Sequence, residues 1–231
     1  MPYLYYWDPT YVLVVFALIL SMIASFGVKV TFSKYQKVKT SRGITGAEAA
    51  KRVLDMNGIY DVRIERVSGE LTDHFDPKNK VIRLSDATYD DSSVASVGVA
   101  AHEAGHAVQY EKNYAPIKIR NSIVPIVNIG SRLSMPLFIL GLIFGATGLS
   151  YIGVFLFSFA LIFQLITLPV EFNASKRAIR ILDESNILYE DEVGPAKKVL
   201  RAAALTYVAA VASTALQLLR LVLILNNRRD D

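Results

Sequence analysis

Two histidines four positions apart, with a glutamate after the first, are the residues of this 231-residue chain best spaced for chemistry: His102-Glu103-Ala104-Gly105-His106. Four residues carry a helix round by about 400°, so both imidazoles leave one face, one turn apart, where they can share a zinc ion. Glu103 sits beside them, where its carboxylate reaches a water on the metal rather than the metal itself. Zinc in a hydrolytic site takes three protein ligands and leaves the fourth position to water, so the pair needs a third. The elongated motif with a third histidine downstream is absent: Ala107-Val108-Gln109-Tyr110-Glu111-Lys112 follows. There is no cysteine, so the ligand must be His, Asp or Glu. The remaining histidine is His74. Among carboxylates Glu171 stands out, because it ends the apolar run Leu168-Pro169-Val170. An acidic group at such a boundary needs a partner, and a cation would provide one. A carboxylate turned out to water is an equal alternative at this point.

A helix must position the pair. Asp91-Ser92-Ser93 opens one that continues to about Glu111, with His102 and His106 well inside it. It is rich in small residues, and Gly105 costs about 1 kcal/mol there relative to alanine. Either another backbone or a substrate approaches at Gly105, or a neighbouring helix packs tightly against it. Upstream, Thr45 with Glu48 has the form of a capping box, and Asn57-Gly58 closes the helix that follows. Residues Asp61 to Val67 alternate as a half-exposed strand does. Glu70–Phe75 and Val81–Ser85 form a predicted hairpin about Asp76-Pro77-Lys78-Asn79.

Composition places these elements beside a membrane. Hydrophobic residues make up 52 % of the chain and charged residues 20 %, as apolar spans separated by charged segments would. Residues Tyr11 to Val28 are long enough to cross a hydrocarbon core. Tyr3, Tyr5, Tyr6 and Trp7 precede them as an interfacial belt. Lys29, Lys34, Lys37, Lys39 and Arg42 follow, and no basic residue precedes. That bias predicts an uncleaved anchor with the N-terminus outside. A second apolar region, 123–170, reads as a helical hairpin turning at Gly145-Ala146-Thr147-Gly148. Its first arm ends near Phe144 and its second runs from about Leu149 to Leu168, with Pro125 and Pro136 expected to end or kink the first. Basic residues flank both outer ends (Lys112, Lys118, Arg120; Lys176, Arg177, Arg180), so both ends face the cytoplasm. Pro195 begins a further helix whose part Ala202 to Leu225 reads as a fourth span. Arg220 and Arg228-Arg229 weaken that reading, and an interfacial or soluble-domain helix is the alternative. No basic block with interleaved aromatics is present, which excludes nucleic acid as a partner.

Two imidazoles and one carboxylate leave bound zinc with net positive charge, which acidifies its water and polarises a peptide carbonyl. Glu103 then accepts the water's proton and delivers it to the leaving amine. A second oxyanion donor could be His74, against its commoner role as a surface histidine; Tyr110 and Tyr207 are further hydroxyls that the sequence does not rank. A non-catalytic zinc-containing membrane scaffold or chaperone is the alternative reading.

The order of these elements, with Ala101-His102-Glu103-Ala104-Gly105-His106-Ala107 and Pro169-Val170-Glu171-Phe172-Asn173-Ala174-Ser175, resembles the YugP-like family of bacterial neutral zinc metallopeptidases. The likeness covers nearly the whole chain, including Leu71–Pro77 and Arg83-Leu84-Ser85. It is more remotely similar to membrane peptidases of the HtpX and CAAX-prenyl-protease type. The resemblance implies a gluzincin-like site with His102, His106 and Glu171 as zinc ligands and Glu103 as general base. The remote relatives place an aspartate four residues after the ligand glutamate, where this chain has Ser175, so support of a metal histidine falls to Ser175 or Asn173. The expected molecule is a mainly α, multi-pass protein of the bacterial inner membrane, acting on a polypeptide substrate at the cytoplasmic face. Its expected organisation is an N-terminal anchor (1–28), a cytoplasmic zincin-like segment with a small β-hairpin or sheet and the HExxH helix (29–120), a transmembrane hairpin (121–170), and a third-ligand helix with the C-terminal helix (171–231).

Overall fold

The computed structural model describes residues 8–227; the aromatic belt of Tyr3, Tyr5, Tyr6 and Trp7, and Arg228-Arg229, lie outside the described residues. The chain is mainly helical, in the order α1 (Tyr11–Gln36), α2 (Gly46–Met56), β1 (Arg63–Val67), β2 (His74–Asp76), β3 (Val81–Ser85), α3 (Val94–Glu111), α4 (Ala115–Ile143), α5 (Thr147–Glu184) and α6 (Glu190–Asn227). Helices α1, α4, α5 and α6 are long and apolar enough to cross a membrane. Two compact units result: Ala24–Ile119 with Thr167–Thr206, and the described residues of Met1–Ile23, Arg120–Ile166 and Tyr207–Asp231.

The first unit holds the small sheet, ordered β1-β3-β2. Central β3 pairs parallel to β1 (Arg63 opposite Val81) and antiparallel to β2 (Asp76 opposite Val81). The Asp76 carboxylate caps the expected turn by accepting from the Lys78 and Asn79 amides at 3.0 and 3.1 Å. Strand β2 starts at His74 rather than Glu70, because Gly69 and Leu71 adopt positive φ (114° and 55°) and bend the chain beforehand. Ile82 and Leu84 of β3 pack with Val53 and Leu54 of α2 and with Val97, Ala100 and Ala104 of α3 in one apolar core. The capping box at the start of α2 is present: Thr45 N donates to Glu48 at 2.9 Å, and Glu48 N to Thr45 Oγ1 at 3.3 Å.

Ser93 caps α3, its hydroxyl accepting from Ser96 N at 3.1 Å. Asp91 reinforces that end: it accepts from Ser96 Oγ at 2.7 Å and pairs with Lys39, in the segment after α1. Helix α6 starts at Glu190, five residues before Pro195, because Glu192 builds its first turn. The Glu192 carboxylate accepts from Ser41 N (2.6 Å), Ser41 Oγ (2.9 Å) and Tyr189 N (2.9 Å), tying the loop after α1 to this helix.

In the other unit α4 continues through Pro125 and Pro136 instead of ending or breaking. It turns back into α5 at Gly145, which adopts φ +66°. The two arms approach closely because they carry small residues: a Cβ on Gly153 would lie 2.6 Å from Ser134 O. Arg220 of α6, which counted against a fourth span, is partnered. Its Nε donates to Thr10 Oγ1 at 3.2 Å, Asp8 lies 3.7 Å away, and its guanidinium stacks 4.5 Å from the Tyr11 ring. Nearby, Ser21 Oγ and Ser213 Oγ are 2.9 Å apart, and Ser213 Oγ donates to Ala17 O at 3.1 Å.

Partial burial acts to raise the Asp91 carboxyl, but the Lys39 ammonium and the Ser93 and Ser96 hydrogen bonds outweigh it and hold the group below the usual carboxylate range. A depressed folded value contributes stability above the ordinary value near 4 that is lost as pH falls through the folded one. Asp91→Asn is expected to cost about 1 kcal/mol near neutral pH. In thermal melts of the solubilised protein, the gap to wild type should close as pH falls below about 4.

Candidate metal centre

His102, Glu103 and His106 all lie on α3, and Glu171 lies on α5. The helical step does what the spacing demands: the two imidazoles sit 4.7 Å apart between centroids, nearly perpendicular. Glu171 Oε2 approaches both, 3.3 Å from His102 Nε2 and 3.4 Å from His106 Nε2. These three donors form a compact group, with the side chains of His106 and Glu171 at least nine-tenths buried. The spacing suits zinc. Four-coordinate zinc with N and O ligands at about 2.0–2.1 Å separates neighbouring donors by about 3.3 Å. A direct hydrogen bond from a charged imidazole to a carboxylate would instead close to about 2.8 Å.

Gly105 permits this approach. A Cβ there would stand 2.9 Å from the carbonyl oxygen of Ala174, one turn beyond Glu171 on α5. The backbone that approaches belongs to the neighbouring helix α5, so the contact is tight helix packing, in which the two explanations its sequence position allowed coincide. The neighbour is main chain, which cannot rotate aside.

The other ring nitrogens are held by protein. His102 Nδ1 lies 3.1 Å from Ser175 Oγ, so the serine that replaces the remote relatives' aspartate still meets a histidine. His106 Nδ1 lies 3.0 Å from Gln109 Oε1. Gln109 is fully buried, and its amide nitrogen donates to Val170 O (2.8 Å) and Asn173 Oδ1 (3.0 Å). With both amide hydrogens committed, the atom facing His106 is an acceptor. His106 therefore donates from Nδ1 and keeps its Nε2 lone pair toward Glu171. Asn173 thus acts through Gln109, and Arg177 Nε steadies it at 2.7 Å. Gln109 was not singled out by sequence, though it stands three residues after His106, on the same helical face.

Glu103 is buried beside the pair. Loss of solvent pushes its carboxyl up to about 7, with His102 opposing and the Glu171 charge reinforcing that rise. A cation on the three donors would draw it back down. His74, the candidate oxyanion donor, is exposed on β2; its Nδ1 lies 2.8 Å from Thr72 O and its Nε2 3.4 Å from Arg83 Nη1. It is not among the three converging donors. Tyr110 packs edge-on against Phe75.

The family model described as "Putative neutral zinc metallopeptidase" matches residues 10–226. The chain belongs to this family. It is 48 % identical over 219 residues, 95 % of this chain and 97 % of the relative, to a Bacillus subtilis (strain 168) protein named "Putative membrane protease YugP". No solved structure matches the chain significantly.

Two substitutions test the supports of the donor group without touching a donor. Gly105→Ala must separate α3 from α5 by a few tenths of an ångström, and should weaken zinc binding about 10-fold. Gln109→Leu keeps the volume but cannot accept from His106, and should weaken it by about 10- to 100-fold. Competition titration against a chromophoric chelator measures both.

Proposed function

We propose that the chain is a membrane-embedded, zinc-dependent endopeptidase in which His102, His106 and Glu171 hold the metal and Glu103 is the general base. The observation that carries this reading is the convergence of three buried donors from two helices, with a buried carboxyl next in sequence to one of them. Zinc held there supplies Lewis acidity and lowers the pKa of water beside it. Glu103 takes a proton from the water that attacks the peptide carbonyl and hands it to the departing amine. Its burial favours the protonated carboxyl while the metal's charge favours the carboxylate, so the two opposing influences suit a group that both accepts and releases a proton. Ser175 and Gln109 keep each imidazole turned with Nε2 toward the metal position.

The substrate in this reading is an extended polypeptide. Strand β2 is an edge of the sheet, and main-chain pairing along such an edge orients a peptide without regard to its sequence. The basic residues that follow α1 and flank the α4–α5 pair support a cytoplasmic site in this reading, with the N-terminus outside. Quality control of membrane proteins is the role implied by the resemblance to HtpX-type peptidases. A non-catalytic zinc scaffold would call for a closed set of four protein donors, whereas three converge among the described residues.

Glu103→Gln in the full-length solubilised protein should retain zinc at wild-type stoichiometry and lose hydrolysis of casein by about 10²- to 10⁴-fold. Glu171→Ala should lose the zinc itself. Zinc retention with undiminished hydrolysis in Glu103→Gln defeats the catalytic assignment, and wild-type zinc affinity in Glu171→Ala defeats the ligand set.

A further inference from the structure

Behind the metal centre, α5 and α6 enclose a groove of about 600 Å³ within the first unit. Its floor is apolar, made by Phe172, Ile179, Leu200 and Ala204. Four cations line it, Arg180 and three others: Lys176 on α5, and Lys197 and Arg201 one turn apart on α6. No acidic side chain pairs with any of the three among the described residues, whereas the neighbouring Arg180 is neutralised by Glu184 at 2.8 Å. Three unpaired like charges around one apolar floor repel one another and favour an anionic occupant with a hydrophobic part.

The lining is graded along the helices. Phe172 and Ala204 lie at the end nearest the apolar runs of α5 and α6, the three cations come next, and the Arg180–Glu184 pair and Asp183 lie farther out on α5. Lys176 stands about 9 Å along the helix from Val170, where the apolar run of α5 ends. A lysine stem reaches back about two-thirds of that distance, to the phosphate level of a bilayer whose polar zone is about 5–7 Å thick on each side. Apolar contact, then positive charge, then the aqueous end is the order in which a phospholipid presents acyl chain, phosphate and headgroup.

We propose that this groove is a binding site for an anionic phospholipid, with the phosphate among Lys176, Lys197 and Arg201 and the start of an acyl chain on Phe172, Leu200 and Ala204. The proposal rests on α5 and α6 crossing the membrane, as in the functional reading above. Ser175 forms part of the groove wall while its hydroxyl meets His102 Nδ1. A seated lipid therefore excludes water from the contact that orients one of the proposed zinc ligands.

Native mass spectrometry of the full-length solubilised chain, titrated in separate arms with phosphatidylglycerol, phosphatidylethanolamine and phosphatidylcholine, tests this. Phosphatidylglycerol should bind at least about 10-fold more tightly than either zwitterionic lipid. The triple substitution Lys176→Gln, Lys197→Gln, Arg201→Gln should lose about 10- to 100-fold of that affinity. The equal charge loss Lys29→Gln, Lys34→Gln, Lys37→Gln should leave it unchanged. Leu200→Trp, which keeps every charge and fills the floor, should also abolish tight binding. Equal affinity for the three lipids overturns the proposal, as does equal loss in the two triple variants, which would mark diffuse surface charge. Tight binding that survives Leu200→Trp in a variant melting as wild type overturns it too. Zinc content of each variant is read separately, so failure of the lipid site and failure of the metallopeptidase reading are distinguishable.

Discussion

The donor group depends on one close approach, that of α3 to α5 at Gly105 and the Ala174 carbonyl. Two imidazoles on one helical turn are fixed by the helix itself, but the third donor comes from another helix and is placed only as accurately as the two backbones are spaced. Glycine is the one residue that lets a carbonyl stand where a Cβ would be, 2.9 Å away. Its cost of about 1 kcal/mol within a helix is offset because closer packing brings three polar groups to one another instead of leaving each buried alone. The small residues around it serve the same end, since Ala100, Ala101 and Ala104 let α3 sink into the core with almost no exposed surface.

That approach also determines which partners orient the rings. Because Ala174 touches α3, its neighbours Asn173 and Ser175 are brought to opposite ring systems, Ser175 to His102 and Asn173 through Gln109 to His106. Gln109 does two tasks with one amide. Its nitrogen bonds Val170 O and Asn173 on α5, locking the interhelical spacing, while its oxygen fixes the His106 tautomer. An amide is the group for this place: it offers donors and an acceptor in one plane, and it carries no charge that would cost several kcal/mol to bury.

How much of this the sequence discloses follows from the range of each interaction. His102, Glu103 and His106 are legible because the four-residue step is a local property of a helix. Glu171 is legible as a candidate because a carboxylate ending an apolar run is anomalous wherever the chain folds, although resemblance was needed to favour it as a ligand. The caps at Thr45 and Ser93 are local too, and form where their residues lie. That α4 does not end at Pro125 or Pro136 has a physical reason. Loss of one hydrogen bond at Pro125, Pro136 or Pro169 is tolerated within long helices whose neighbouring turns and contacts hold the rod together. The start of α6 is similar: Pro195 marks a permitted first turn, but the Glu192 carboxylate, tied to Ser41 far away in sequence, moves the real start five residues earlier.

Arg220 shows the same limit from the opposite side. Taken alone, a guanidinium in the last turns of an apolar helix argues against a span, because an unpaired charge in hydrocarbon is costly. The objection holds only while the charge has no partner, and the partners are more than 200 positions away in sequence: Asp8, Thr10 and the Tyr11 ring at the start of α1. An ion pair, a hydroxyl and an aromatic face around one guanidinium turn that liability into a link between the first and last helices. Gln109 and Arg220 are therefore hidden for one reason. Each is an ordinary polar residue whose meaning lies wholly in what a distant segment brings to it, whereas the histidine pair carries its meaning within five residues.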